Sequence, residues 1–166
     1  MVSKDKYMHP VIPEKYKEYI EIAMREAKIA FNNGEVPVGS VIIENDKIIS
    51  KGHNLVENSG NITLHSEIVS IKKATKKKKT IKLDNCTILT TLEPCPMCLS
   101  ALIYSHIEKI IFLAEDKKWG ALGGLYDLRT FIKNHKIPTF EFIEYKPAED
   151  LIEQFFKKLR NRNNNL

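Results

Sequence analysis

Apolar residues recur at helical spacing from Glu14 to Phe31, where Tyr16, Tyr19, Ile20, Ala23, Met24, Ala27 and Ala30 share one face and Asn33-Gly34 supplies a stop signal. A first helix is predicted there. Val36 to Ile43 then reads as a strand, Glu44-Asn45-Asp46 as a turn and Lys47 to Ser50 as a returning strand that ends at His53-Asn54, so the pair forms a hairpin. Beyond a polar loop from Glu57 to Asn61, the positions of His65, Ile68, Val69, Ile71 and Ala74 predict a second helix running out into Lys76 to Lys79, a solvated helix end. Cys86 to Thr91 reads as a buried strand, Pro96 to Tyr104 as a helix and Lys109 to Ala114 as another strand. That alternation implies parallel pairing through a helix and hence a mixed sheet with covering helices. Gly120, Gly123 and Gly124 place Gly120 to Arg129 in a loop entering a short helix, and Thr139 to Glu144 forms a last strand. The final helix, Pro147 to Arg160, has proline in its first turn, Glu149 and Asp150 near its start and an apolar stripe of Leu151, Ile152, Phe155, Phe156 and Leu159. Residues 161–166 read as a polar tail.

At 166 residues, with no internal repeat and no linker, the chain is expected to be a single domain (1–166, core about 14–160). No apolar run reaches the length of a membrane span and the N-terminus lacks the apolar segment of a signal peptide, so a soluble cytoplasmic protein is expected. The three cysteines argue against a disulfide framework and for a reducing compartment. Cys86, on a strand, is expected to pack. The net charge of +5 would suit a polyanionic partner, although lysine and asparagine are spread along the whole chain and general compositional bias explains them equally well.

The chemistry concentrates in two places. Glu93-Pro94-Cys95-Pro96-Met97-Cys98 begins a predicted helix, and its Cys-x-x-Cys alone could be half of a closed zinc knuckle, a redox dithiol or two legs of a catalytic metal site. Upstream stands His65-Ser66-Glu67. Together these form the His-x-Glu and Pro-Cys-x-x-Cys signature of zinc deaminases. Three protein ligands, His65, Cys95 and Cys98, leave one tetrahedral position open, and the sequence offers no second pair of ligands to close it. Cys95 and Cys98 are three apart at a helix start, so they share a face and meet free amides that favour thiolates. His65 and Glu67 are two apart and do not share a helical face, which assigns them different roles: His65 as ligand, Glu67 as proton shuttle. The other histidines, His9, His53, His106 and His135, have no comparable company and are expected at the surface or behind the site.

From about Tyr16 to Arg160 the sequence closely resembles the bacterial tRNA-specific adenosine deaminase family. Besides the zinc residues, the likeness includes Gly34-Glu35-Val36-Pro37-Val38-Gly39, His53-Asn54, Thr91 to Pro94, Ala114-Glu115-Asp116 and Phe155-Phe156. The resemblance implies an α/β, three-layer cytidine deaminase-like fold with a central mixed five-stranded sheet, one Zn2+ per subunit and a homodimer acting on a tRNA anticodon stem-loop. The implied reaction is hydrolytic deamination of the wobble adenosine to inosine, with zinc-bound hydroxide as nucleophile and Glu67 as proton shuttle. It further implies substrate contacts from Asn54, which would hydrogen-bond the base, from Asp116, which would approach the flanking nucleotide, and from Val38. Lys117, Lys118, Arg129, Lys157, Lys158 and Arg160 are candidates to hold phosphates.

Departures from the family pattern cluster near the metal residues. Where the family usually reads Asp-Pro-Thr-Ala before His-Ala-Glu, this chain has Asn61-Ile62-Thr63-Leu64 and Ser66, and where Lys-Thr-Gly-Ala is common it has Lys118-Trp119-Gly120-Ala121. Trp119 is a candidate to stack on a nucleotide or to pack at a subunit interface. Two other readings share the metal residues: a deaminase of a free base or nucleoside of the guanine or cytosine type, and a non-catalytic zinc-dependent RNA-binding subunit. The presence of Glu67 argues against the second, since binding needs no proton shuttle.

Overall fold

The computed structural model describes residues 12–163. His9 and the last three residues of the expected polar tail lie outside that range. The elements run α1 (Lys17–Asn32), β1 (Gly39–Glu44), β2 (Lys47–His53), α2 (Val56–Ser59), α3 (Ser66–Lys78), β3 (Cys86–Thr90), α4 (Pro96–Tyr104), β4 (Lys109–Phe112), β5 (Thr139–Phe142) and α5 (Lys146–Asn163). Short 3-10 turns stand at Glu14–Tyr16 and Leu128–Thr130. The strands form one five-stranded sheet in the order β2-β1-β3-β4-β5, with β1 antiparallel to both neighbours and β3, β4 and β5 parallel.

Successive strand residues point to opposite faces, so the apolar runs divide between two cores. Val41, Ile43, Leu89 and Ile111 join Tyr19, Ile20, Ala23 and Met24 of α1 and Ala148 of α5 on one side. Ile42, Ile88, Ile110 and Phe112 join Ala74 of α3 and Leu99, Leu102 and Ile103 of α4 on the other, and Cys86 packs in that second core as expected. The result is the expected three-layer α/β/α architecture. α1 lies very close to β1: a Cβ on Gly39 would stand 2.1 Å from the Ala23 carbonyl oxygen. Only glycine permits that approach.

The structure shifts several expected boundaries. β1 begins at Gly39 rather than Val36, because Val36 to Val38 turn on themselves, the Val38 amide donating to the Val36 carbonyl at 2.8 Å, and Pro37 has no N–H to give a ladder. The expected loop from Glu57 to Asn61 overlaps α2, in which the Glu57 and Asn58 amides are held by Glu35. The start of the polar tail is helical, since α5 continues to Asn163. The lysine run at the end of α3 is exposed except for Lys78, which pairs with Glu44. No described helix is long and apolar enough to cross a membrane.

Candidate active site

Sheet register brings three loops to one edge. Gly39 at the start of β1 pairs with His53 at the end of β2, and its carbonyl accepts from the Thr91 amide just past β3 at 2.9 Å. The chain leaves β2 into Asn54 and leaves β3 into Pro94-Cys95, so the ends of both strands converge on the N-termini of α3 and α4. His65 is the N-cap residue of α3 and Cys95 that of α4, both with extended backbone. Their side chains therefore meet where two sets of free amides and two positive helix ends point the same way.

His65, Cys95 and Cys98 bring one donor atom each to within 4.8 Å of one another, and Cys95 Sγ stands 3.6 Å from His65 Nδ1. Tetrahedral zinc with bonds of about 2.0–2.3 Å separates its ligands by roughly 3.5–4 Å, so the donor set fits such an ion. The hydrogen bond Cys95 accepts from the Cys98 thiol, reinforced by His65, draws the Cys95 thiol down to about 4 despite partial burial. The same bond, with burial, pushes Cys98 up. His65 is raised chiefly by its hydrogen bond with Cys95. One thiolate and one shared proton thus sit where a cation would replace that proton.

Glu67, 3% exposed, lies in the first turn of α3. Its Oε2 accepts from the Ser66 hydroxyl at 3.1 Å and stands 3.5 Å from Cys98 Sγ, while Oε1 stands 3.5 Å from Thr90 Oγ1. Burial pushes its carboxyl up. The spacing argument separating His65 from Glu67 accords with this placement: His65 faces the thiols from the cap, and Glu67 reaches the same space from the first turn.

Asn54 is 5% exposed and joins the same edge. Its Oδ1 accepts from the Ser66 amide at 2.8 Å and its own amide donates to the Val38 carbonyl at 3.2 Å, which ties Val38 to the site through main chain. Asp116 and Trp119 occupy a different segment, after β4. Asp116 Oδ1 accepts from the amides of Lys118 and Trp119 at 2.9 and 3.0 Å, and the Trp119 side chain is exposed, the residue retaining 59% of its accessible area. Their hydrogen-bonded link to the metal residues runs through Glu93, which accepts from the Asp116 amide and stands two positions before Cys95.

Three glutamates to which the motif reading gave no role, Glu93, Glu35 and Glu26, organise this edge. Glu35 accepts from the Asn58 and Glu57 amides at 2.8 and 3.1 Å. Glu26, buried on α1, meets His53 Nδ1 at 2.6 Å and Lys51 Nζ at 2.9 Å, so His53 stands behind the site as expected. The sequence signal was a carboxylate inside the apolar stripe of α1. Among the proposed phosphate contacts, Arg129 is paired with Asp127 and lies 4.1 Å over the Phe140 ring, which occupies its charge locally.

The comparisons agree with this geometry. Residues 14–160 match the family described as MafB19-like deaminase. The tRNA-specific adenosine deaminase of Aquifex aeolicus is 46% identical over 147 residues, covering 87% of this chain and 97% of that protein. The corresponding Bacillus subtilis protein is 37% identical over 145 residues, covering 87% and 90%. A structure from work on A-to-I editing by tRNA:A34 deaminases at the wobble position superposes with a TM-score of 0.73 at 28% identity, covering 83% of this chain and 98% of that one. Guanine deaminase from Bacillus subtilis superposes with a TM-score of 0.59, also at 28% identity, covering 88% and 94%. The chain belongs to the MafB19-like deaminases by its family match and to the tRNA-specific adenosine deaminase family by its relatives.

Proposed function

We propose that this protein hydrolyses the wobble adenosine of a tRNA anticodon to inosine with release of ammonia, acting in the cytoplasm as a single-domain, zinc-containing homodimer. The observation that carries the reading is the meeting of His65, Cys95 and Cys98 within 4.8 Å, with the Glu67 carboxylate 3.5 Å from Cys98 Sγ. His65, Cys95 and Cys98 would hold the zinc, which when bound supplies a water acidic enough to add to C6 of the base.

Glu67 Oε2 takes a proton from the attacking water and delivers it to the adenine ring nitrogen N1, then carries the proton of the hydroxyl now on C6 to the exocyclic amine, which leaves as ammonia as the C6 carbonyl forms. Ser66 and Thr90 hold the two oxygens of that carboxylate. Asn54, anchored through its Oδ1 and its amide, offers its side-chain NH2 to the base. Asp116 and Trp119 meet the nucleotide beside it. A groove of about 720 Å³ lined by Lys118, Phe156, Lys157 and Arg160, and also by the carboxylates Asp150 and Glu153, offers cations for phosphates and an aromatic face for a base.

The likeness to guanine deaminase supports a second reading, deamination of a free base. The names of the curated relatives favour RNA. Zinc-loaded protein incubated in parallel with an anticodon stem-loop bearing wobble adenosine, with guanine, cytosine and their nucleosides separates the two. Inosine in RNA alone supports the proposal, and turnover of a free base with none in RNA refutes it.

A further inference from the structure

We infer that the buried Glu93 carboxylate is a positioning residue for nucleotide recognition, fixing the segment that carries Asp116 and Trp119 in register with Cys95. The inference rests on the proposed contact of Asp116 and Trp119 with the substrate.

Glu93 is 2% exposed, yet among the described residues its carboxylate contacts no charged side chain within ion-pair distance. Its partners are main-chain amides. Oε1 accepts from Leu122 at 2.8 Å and Gly124 at 2.9 Å, and Oε2 accepts from Asp116 at 3.0 Å. A carboxylate accepts several hydrogen bonds and donates none, so one side chain can satisfy three amides that would otherwise be orphaned. Both oxygens point into the segment, which leaves Glu93 unsuited to carry protons for the reaction.

The surrounding chain is shaped for this contact. A Cβ on Gly120 or on Gly124 would stand 2.4 Å from Glu93 Oε2 and 2.5 or 2.3 Å from the Asp116 carbonyl oxygen, so only glycine lets the main chain pass this close to both the carboxylate and Asp116. The main chain adds two links: the Glu93 amide donates to the Ala114 carbonyl at 2.9 Å and the Ala121 amide to the Pro94 carbonyl at 3.0 Å. Residues 113–127 contain no helix or regular strand. Such a segment ordinarily samples many conformations. Here it is stitched to Glu93-Pro94, and the next residue is Cys95, the N-cap of α4. Recognition at Asp116 and chemistry at the metal residues are thereby held at one spacing. Misplacement by about an ångström weakens binding and orientation out of proportion to any lost contact.

Glu93→Gln keeps the size of the side chain and can keep two of the three hydrogen bonds, but turns an NH2 group on the third amide. In the zinc-loaded full chain, KM for the anticodon stem-loop is expected to rise about tenfold with kcat lowered less than about threefold, and zinc content unchanged. Trp119 is the sole tryptophan, so its fluorescence anisotropy reports the segment directly and should fall, while the amides of Asp116, Leu122 and Gly124 exchange faster with solvent. Gly124→Ala, which crowds both the carboxylate and the Asp116 carbonyl, should reproduce the KM change, and the double variant should be less than additive. Should Glu93→Gln fail to fold, Glu93→Asp, which keeps the charge but shortens the reach to the three amides, decides by the same KM and anisotropy. Unchanged KM and anisotropy in the variants, or loss of zinc from Glu93→Gln, would overturn the inference. Absence of RNA deamination by the wild type would instead count against the proposed function, with anisotropy and amide exchange still deciding whether Glu93 holds the segment.

Discussion

The Ser66 hydroxyl donates to Glu67 Oε2 at 3.1 Å, while the Ser66 amide donates to Asn54 Oδ1 at 2.8 Å. One residue therefore touches both the group assigned to proton transfer and the group assigned to the base. Ser66→Ala should leave folding and zinc content intact and lower kcat by roughly three- to tenfold at constant KM, the loss expected for one buried hydrogen bond to a carboxylate. Steady-state kinetics on the stem-loop check this, and an unaltered kcat would make Ser66 a neutral replacement.

Glu26 links α1 to the end of β2 through His53 and Lys51. Burial alone would raise its carboxyl, but the hydrogen bonds from His53 and Lys51 outweigh it and hold it below its ordinary value of 4.5. A depressed folded-state value stabilises the fold fully above the unfolded value and loses that contribution as pH falls through the folded one. Glu26→Gln should therefore cost about 1–3 kcal/mol at neutral pH, with the gap to wild type closing as pH drops below the ordinary glutamate range. Urea midpoints measured from pH 7 to pH 3 test the sign, and a gap that widens on acidification would refute it.

Much of this molecule was legible in its sequence, for identifiable reasons. α4 occupies its expected span because Pro96 can start a helix but not continue one from before, and the strand-helix-strand order around it forced the parallel pairing of β3 and β4. The group of His65, Cys95 and Cys98 that could hold a metal was legible because such chemistry demands particular side chains at fixed spacing. Glu35 and Glu93 were not, since their partners are backbone amides 22 to 31 positions away, and a main-chain donor leaves no mark in the sequence. The four-residue α2 was missed for the same reason: it depends on Glu35 rather than on any periodicity of its own. Gly120 and Gly124 did give a signal, read as a loop but reflecting close approach to a buried carboxylate and to the Asp116 carbonyl.

Zinc uptake by the metal-free protein should release protons. At neutral pH Cys95, drawn down to about 4 by the Cys98 hydrogen bond, is already a thiolate, while Cys98 is pushed up and holds its proton. Binding should displace about one thiol proton, together with any carried by His65, and affinity should fall as pH is lowered. Calorimetry in buffers of differing ionisation enthalpy measures the count, and proton-free uptake at pH 7 would contradict the assignment of Cys98 as a ligand.

Trp119 is exposed and carries the anisotropy signal of its segment. Trp119→Ala should raise KM for the stem-loop by about fivefold or more with little change in kcat, the effect of losing one base stack. Sedimentation of the same variant distinguishes the roles: a loss of dimer mass would place Trp119 at the subunit interface instead.

The most direct test of the account pairs wild type with Glu67→Ala, both carrying one zinc per chain, on a stem-loop whose wobble adenosine is the only adenosine in the loop. Nucleoside mass spectrometry should find inosine and ammonia in equal amounts with wild type. It should find no inosine above background with Glu67→Ala, although that variant still binds the RNA. Persistent inosine formation by zinc-loaded Glu67→Ala, or none by wild type, would contradict it.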